Sequence, residues 1–474
     1  MVTACRVTLA GCGLLLTVAC SDRGAGAPPG AVGSSAGAGA SGAAGSTSSA
    51  SGGSPSSSGG ASATAGTAGE AASAGTAGVS AAGASAAGGA GGSAGSAGSA
   101  GAPPTDEWFP CDGDTSVYDV VVTGSGSIWT IEGAGDAETA GSIQDALTAA
   151  FDRLSPGRDV KESVLVQGDG SIAASERIEL PSYLILNLCG TIDVTETSMG
   201  DLAPIFARGR TDIDIPHARI SGNPVYGMFF RETSNLHLGV IELDLNPEAS
   251  GIGIRVDNSS NAGAGGPMVT NIRVDQLTAT GTGSHALETY GVDGLEVGRV
   301  DATDTGESGV LLNRTINAEV GVVHCENCGA GTGYAAFRIA NDAGKIGSEW
   351  PAGNIHVQEV YARGGGRGIF SVSGSGGLTI DRIDIADTGS DGILLQNCYN
   401  TTICAESGII SGANVLLSND TEDTDAGTFE PSQNVLLQNL TLEDASVSEA
   451  WCELGDRGNR AENITGGSVN MCFD

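Results

Sequence analysis

The sequence is poor in positive charge. It has 21 lysine and arginine residues against 56 aspartate and glutamate residues, a net charge of -35, and only two lysines, Lys161 and Lys345. Nucleic acids and anionic membranes are bound through clusters of basic side chains. The composition therefore argues against both as partners.

Large apolar residues are almost absent between residues 20 and 104, where Gly, Ala and Ser predominate. Such a segment cannot bury enough apolar surface to fold. We predict that it is a disordered linker, which as a random coil would span roughly 50 Å root-mean-square. No second segment of this kind interrupts residues 105–474, so we predict one elongated domain there.

The N-terminus has one positive charge at Arg6, followed by a short apolar stretch and small residues before Cys20. The stretch is too short to span a membrane and is typical of a cleaved export signal. Residues 17–20 resemble the lipobox of bacterial lipoproteins, although the leucine lies one place early. We predict a signal peptide over residues 1–19 and lipidation of Cys20 as the single membrane attachment; simple secretion is the alternative.

Eight cysteines remain after the signal and Cys20 are set aside, and an even number in an exported chain indicates disulfides. Proximity in sequence suggests the pairs Cys398–Cys404 and Cys452–Cys472. The CxxC of Cys325 and Cys328 has no second pair at the spacing of a zinc site. We therefore predict disulfides and no zinc.

A repeat of about 23 residues runs through the domain. Short β-branched strands begin at Asn271, Gly294, Ala318, Asn354, Gly377 and Asn400. The period is too short for strand–helix–strand units, and a second strand follows a glycine in several repeats, as in SGVLLN and SDGILLQN. Stacked coils would bury the alternate apolar side chains in one column. The segment GSIQDALTAAFDRL, with Ser142 as N-cap, predicts a helix that covers the first coil.

SIQDALTAAFDRL, the following SVLVQGDG and these coils together resemble the pectate-lyase-like superfamily. The resemblance covers about residues 130–470 and implies an all-β fold, a single-stranded right-handed parallel β-helix with an N-terminal capping helix, as in many enzymes that act on polysaccharides. The polygalacturonase signatures NTD, DD, GHG and RIK are missing, as are the features of calcium pectate lyases. No catalytic residue is transferred by motif.

Alignment of the second strands on their glycine indicates two exceptional coils, in which His285 and Tyr334 take the glycine position. The same alignment puts Glu288 in a column of inward-facing apolar residues. Departures from a local pattern are expected at functional sites. Coils lie about 4.8 Å apart, so neighbouring polar side chains would form a strip along one face. The members of this strip are Arg231, Asp257, Tyr290, Asn313, Arg314 and Arg338.

Two insertions follow Asp257 and Arg338, and we predict that they flank the strip, with Lys345 and Trp350 in the second one. A groove between loops is the expected place for a ligand, and tryptophan stacks on sugar rings. The predicted catalytic residues are His285, Glu288, Tyr290, Arg314 and Arg338. The predicted substrate-binding residues are Arg231, Asp257, Asn313, Tyr334, Lys345 and Trp350.

Three functions fit these residues. We slightly favour a lyase that cleaves uronate-containing polysaccharide by β-elimination, in which arginines neutralise the uronate, His285 removes the proton and a tyrosine acts as acid. The first alternative is a glycoside hydrolase, with Glu288 as acid and Asp257 or Glu307 as its partner. The second is a non-catalytic glycan-binding protein. No cofactor is required, calcium stays open, and the oligomeric state is not predicted.

Overall fold

The structure is a computed structural model that describes residues 4–5, 18–19, 111–197, 202–258, 267–331, 333–340, 354–424 and 427–473. Near the N-terminus Ala4–Cys5 pairs antiparallel with Val18–Ala19. The predicted linker, Cys20, Lys345 and Trp350 lie outside the described residues. None of the helices in the described ranges is long and apolar enough to cross a membrane.

The chain from residue 162 onward is a parallel β-helix, as predicted. Each coil begins with a long strand, or with two consecutive strands in its place, that pairs in parallel with its equivalent in the next coil. The predicted strand starts are correct to within two residues. In chain order these strands are Glu162–Gln167, Gly170–Ile172, Leu184–Leu188, Thr191–Val194, Thr211–Gly222, Ser234–Leu245, Val269–Thr280, Val292–Thr303, Ile316–Glu326, Ile355–Arg363, Leu378–Ala386, Cys398–Ser411, Gln433–Gln438, Leu440–Ala450, Arg460–Glu462 and Thr465–Asn470.

A second set of short strands completes the coils and forms its own parallel sheet. Its members are Ile178–Glu179, Ile205–Arg208, Tyr226–Arg231, Ile252–Asp257, Leu287–Tyr290, Val310–Asn313, Ala335–Ala340, Arg367–Val372, Ile393–Gln396 and Val415–Ser418. The outward-facing side chains of this sheet are called the short-strand face below. The remaining short elements are Ser375–Gly376, Glu422–Thr424, Gly427–Phe429 and the 3₁₀ turns Thr115–Val117 and Cys452–Leu454.

The N-terminal end of the coil is covered by a helix, Ile143–Asp152, and by an antiparallel hairpin, Val120–Ser125 with Ile128–Gly133, whose second strand pairs with Glu138–Ala140. The predicted N-cap is confirmed, because the Ser142 side chain accepts a hydrogen bond of 3.0 Å from the backbone N–H of Asp145. The helix packs its apolar face on the buried core of the first coils. The cap thus shields apolar side chains that an open solenoid end would expose.

Asparagine recurs at the corner where the long strands begin. Asn271, Asn317 and Asn400 have φ angles of 56°, 52° and 49°. Asparagine tolerates this left-handed conformation better than most residues. The Asn271 amide also donates to the side-chain oxygen of Asn235 on the preceding coil, at 2.8 Å. The repeated asparagines of the sequence therefore have a structural role at the corners.

Within the described ranges, three disulfides join Cys111 to Cys189, Cys325 to Cys328, and Cys452 to Cys472. The predicted Cys452–Cys472 pair is confirmed. The predicted Cys398–Cys404 pair is wrong, because both residues are buried free thiols. Proximity in sequence was misleading here, since both side chains are packed separately in the hydrophobic core.

Candidate functional site on the short-strand face

The observed register of the short strands corrects the predicted alignment. Ala286 and Ala336, and not His285 and Tyr334, occupy the positions equivalent to the recurring glycines, since Leu287 pairs with Ile254 and Phe337 with Val310. The glycines of this column are closely packed: a Cβ atom on Gly253 would lie 2.9 Å from Cδ1 of Leu243. Two coils have alanine at the equivalent position, so alignment on glycine alone shifted them by one residue.

The shift changes the side of the sheet on which Glu288 lies. Its strand neighbours are Arg255 on the preceding coil and Leu311 on the next, and all three point outward. The prediction that Glu288 faces the apolar interior is therefore wrong. The prediction that it is buried is confirmed, with 6% of its surface exposed. The inward place belongs to Thr289, whose hydroxyl bonds that of Thr315 at 2.8 Å.

Two arginines and two carboxylates form a buried network at this point of the face. Asp257 is fully buried and accepts hydrogen bonds from Nε and Nη2 of Arg231, both at 2.9 Å, and from Nε of Arg255 at 3.0 Å. Nη1 of Arg255 also donates to Glu288 at 2.8 Å, and the Asn313 amide donates to the other Glu288 oxygen at 3.2 Å. The two positive and two negative charges balance within the network.

Glu288 is the carboxylic acid of this network whose pKa is raised. Burial raises the pKa of its carboxyl group, while Arg255 and the hydrogen bond from Asn313 act in the opposite direction; the nearby carboxylates of Asp257 and Glu307 raise it further. A buried carboxyl group beside other carboxylates is a recognised arrangement for a general acid.

His285 and Glu307 form a second hydrogen-bonded unit. Nδ1 of His285 accepts from the backbone N–H of Ser308 at 3.1 Å, so the ring proton is on Nε2, which lies 3.1 Å from Oε2 of Glu307. The Ser284 hydroxyl donates to the same Glu307 oxygen. Burial, together with Arg338 and Arg255, lowers the pKa of His285 to about 3. His285 is therefore a neutral imidazole whose two nitrogens are both hydrogen-bonded. Its Nε2 donates to the carboxylate of Glu307, whose side chain is 29% exposed.

Arg338 is buried on the same face without a negative partner. Its guanidinium carbon lies 4.3 Å from the ring centroid of Tyr334 and 5.0 Å from that of Phe370. Arg338 is 8% exposed, yet no carboxylate of the described residues is within ion-pair distance of it, and its Nε has no hydrogen-bond partner. A buried cation without a counter-charge is costly. This arginine therefore needs an explanation that the fold alone does not supply.

The other predicted residues surround these units. Tyr290 and Asn313 are in register with Asp257, at the ends of neighbouring short strands. Arg314 follows in the left-handed conformation, with φ 46°, and the Tyr334 ring lies 5.6 Å from that of His285. The structure thus brings most of the predicted strip together. The two insertions, with Lys345 and Trp350, lie almost wholly outside the described residues.

Two arginines of this face, Arg255 and Arg367, were not predicted from the sequence. Arg367 stacks on Phe370 at 5.1 Å, and its pKa is lowered by burial and by the proximity of Arg338, although Asp391 opposes this. Arg255 could have been predicted from the segment IRVD, because it lies two residues before Asp257 and residues two apart in a strand lie on the same face. The same Arg-x-Asp pattern recurs on the long strands, where Arg299 pairs with Asp301 at 2.6 Å. The short-strand site differs from the pair on the long strand in that its Arg and Asp side chains are more deeply buried.

Metal ligands are not gathered anywhere in the described ranges: no group of three or more His, Cys, Asp and Glu side chains there has the arrangement of a metal site. Three groups on the outer face of the β-helix make up the candidate site. They are the ion network of Arg231, Arg255, Asp257 and Glu288, the hydrogen-bonded carboxylate of Glu307, and the guanidinium of Arg338, which has no carboxylate partner among the described residues.

Comparison with known proteins adds little to this picture. No family model matches the sequence, and no curated protein is similar to it. Two solved structures resemble the fold, both A-modules of Azotobacter vinelandii mannuronan C-5 epimerases. The AlgE6 module is 14% identical, with a TM-score of 0.38 over 70% of this chain and 93% of its own. The AlgE4 module is 15% identical, with a TM-score of 0.38 over 69% and 92%. A likeness at this level carries no conclusion about the reaction.

Proposed function

We propose that this protein is an exported enzyme that acts on a uronate-containing polysaccharide at the short-strand face, between the coils of Asp257 and Arg338. The observation that supports this most directly is Arg338. In a chain with a net charge of -35, one arginine is buried beside two aromatic rings, and no carboxylate among the residues that the structure describes forms an ion pair with it. The carboxylate of a bound uronate would supply the missing charge, and sugar rings pack well on aromatic side chains.

The reaction that we favour is β-elimination. It requires a cation at the uronate carboxylate, a base for the proton at C5 and an acid for the leaving oxygen. We assign the cation to Arg338, with Arg314 beside the site. For the base we favour Glu307, because its side chain is partly exposed and is oriented by Ser284 and His285. His285 then acts as a positioning residue, and Tyr290 or Tyr334 is the acid.

A glycoside hydrolase is the second candidate, and a specific observation favours it. The pKa of Glu288 is raised by burial, and the carboxylates of Asp257 and Glu307 are close enough to raise it further. A protonated carboxyl group near an ionised one is the arrangement that glycosidases use. In this scheme Glu288 protonates the leaving oxygen, and Glu307 acts as base or nucleophile.

The test is to incubate the purified exported protein with a panel of acidic and neutral polysaccharides, and to record ultraviolet absorbance of unsaturated products together with reducing ends. Both signals rise for a lyase, whereas reducing ends alone rise for a hydrolase. If neither signal rises while an acidic polysaccharide still binds, the protein is a binding protein and the enzymatic proposal is wrong.

Two conservative variants separate the reactions. Glu307→Gln should lower the turnover number by about 10²–10⁴-fold in both schemes, which is the usual contribution of a general acid or base. Glu288→Gln should do the same only in a hydrolase. Asp301→Asn serves as control, because Asp301 also accepts hydrogen bonds from an arginine and a histidine but lies on a long strand, away from the site.

Export is part of the proposal. Three disulfides join six of the cysteines, and disulfides persist in oxidising compartments. We propose that the mature chain is attached to a membrane through a lipid on Cys20. Metabolic labelling with a fatty acid tests this, since Cys20→Ser should abolish the label; an unlabelled native protein would leave simple secretion as the correct alternative.

A further inference from the structure

A cleft of about 250 Å³ opens on the short-strand face near its N-terminal end, apart from the site described above. It is lined by three arginines, Arg177, Arg208 and Arg210, by one carboxylate, Glu179, and by Phe206. Positive charge is scarce in this protein, so three guanidinium groups around one cleft are a strong local exception. The balance of charge favours an anionic ligand.

The arginines of the cleft are partly oriented by their neighbours. Nη2 of Arg177 lies 2.5 Å from Glu179, and its guanidinium carbon lies 4.4 Å from the centroid of the Phe206 ring. Nε of Arg208 is 3.7 Å from Glu232, a looser pair in which both side chains are about half exposed. Arg210 is exposed just beyond the strand. Two of the three cations are thus open to a ligand from solvent.

Strand register places the cleft on the same two columns as the candidate site. Phe206 pairs with Phe229, and Arg208 pairs with Arg231. Five coil steps separate the Phe206 position from that of Arg338, so the two lie roughly 24 Å apart along the axis of the β-helix.

We infer that this cleft is a second anion-binding subsite of the same groove, which takes a carboxylate-bearing sugar several units away from the one at Arg338. The inference rests on the proposed function, because it takes the ligand to be one extended acidic polysaccharide. It adds a requirement for length: only a chain that reaches both Arg338 and the cleft gains the additional contacts. Short acidic oligosaccharides bind at one site and gain nothing from the other.

The test compares the double variant Arg208→Ala and Arg210→Ala with the control Arg219→Ala and Arg460→Ala in the full exported protein. The control removes the same charge from two exposed arginines that pair with Glu242 and Glu462, outside the short-strand face. The probes are size-fractionated oligomers of polygalacturonate and of alginate, and the readout is the Kd of short and long oligomers. Thermal unfolding verifies that both variants are folded.

The double variant should bind long oligomers about tenfold more weakly, which is the expected loss of two exposed charge contacts. Short oligomers should bind as before, and the salt dependence of Kd for long oligomers should become less steep. Equal weakening for both lengths, a change no larger than in the control, or no binding of any acidic oligomer would overturn the inference.

Cleavage measured in parallel distinguishes this inference from the proposed reaction. If the native protein cleaves long chains and the double variant does so with unchanged KM, the subsite is wrong while the enzymatic proposal holds. If length-dependent binding is lost in the double variant but no cleavage is seen in any protein, the subsite holds and the reaction does not.

Discussion

Replacement of Arg338 by methionine should leave the folded protein as stable as before, or make it more stable, while ligand binding is lost. Methionine keeps the aliphatic part of the side chain but removes the guanidinium group, and with it both the charge and the ring contacts to Tyr334 and Phe370. The matched change is Arg255→Met on the same outward column. Arg255 differs from Arg338 in one respect that matters here, namely its ion pairs with Asp257 and Glu288.

The expected changes in the free energy of unfolding differ between the two variants: Arg338→Met should not lower it, whereas Arg255→Met should. Loss of the two ring contacts of Arg338 costs about 1–2 kcal/mol each in a desolvated setting. Removal of its unsatisfied Nε recovers about 1–3 kcal/mol, and removal of an uncompensated buried charge recovers several more. We therefore expect the free energy of unfolding of Arg338→Met to stay unchanged or to rise by up to about 4 kcal/mol. Arg255→Met leaves Glu288 buried without its ion-pair partner and removes one of the two arginines that bind Asp257, so it should cost about 3–5 kcal/mol.

Denaturant unfolding at neutral pH, followed by circular dichroism, measures both changes against the native protein. Binding of an acidic oligosaccharide to Arg338→Met should weaken roughly 30-fold or more, as for other buried charged contacts. A loss of stability in Arg338→Met as large as that in Arg255→Met would refute the reasoning. It would mean that Arg338 has a structural counter-charge, and the main support for an anionic substrate would disappear.

Two further predictions concern titratable groups away from the site. Both ring nitrogens of His356 lie 2.8 Å from carboxylates, those of Glu319 and Asp381, and these bonds raise its pKa against the opposing effect of partial burial. Their stabilisation is present below the ordinary histidine pKa of about 6.5 and is lost as the pH rises through the raised value. His356→Gln should therefore flatten the thermal midpoint against pH in that interval, and an unchanged profile would contradict this. Burial raises the pKa of Cys398 to about 11 and that of Cys404 to about 12, so iodoacetamide should label neither until the protein is unfolded; rapid labelling of the native protein would show that one is accessible.

The fold was predictable because its causes are local and repeated. Short β-branched strands, asparagines at the corners and the Ser142 cap are each visible in the sequence, and their period leaves few alternatives to a coil. The face on which each short-strand residue lies was less predictable. A shift of one residue moves a side chain to the other face of a strand. Positions 286 and 336 have alanine where the other coils have the glycine that was used for the alignment, so these two coils were shifted.

The arginine cleft could not have been found from spacing. Arg177, Arg208 and Arg210 come from two coils, and nothing in their local sequence distinguishes them from the exposed arginines of the long strands. What brings them together is the stacking of Ile178–Glu179 on Ile205–Arg208, which depends on the length of the connection between the two coils. Strand register determines which residues from distant parts of the sequence become neighbours, and register is decided by packing over the whole coil.

The charges of the short-strand face bear on which polysaccharides can be accepted. Arg231 and Arg255 are matched by Asp257 and Glu288, so this network needs no ligand to be electrically balanced. Arg338 is the cation outside that balance among the buried residues described on this face. A neutral sugar bound over it would remove its remaining water and supply no charge, whereas a uronate would replace that water with a charge-assisted hydrogen bond. Selectivity would then arise as much from the penalty imposed on neutral chains as from the attraction of acidic ones. For this reason the neutral polysaccharides in the panel are as informative as the acidic ones: tight binding of a neutral chain would contradict the role given to Arg338.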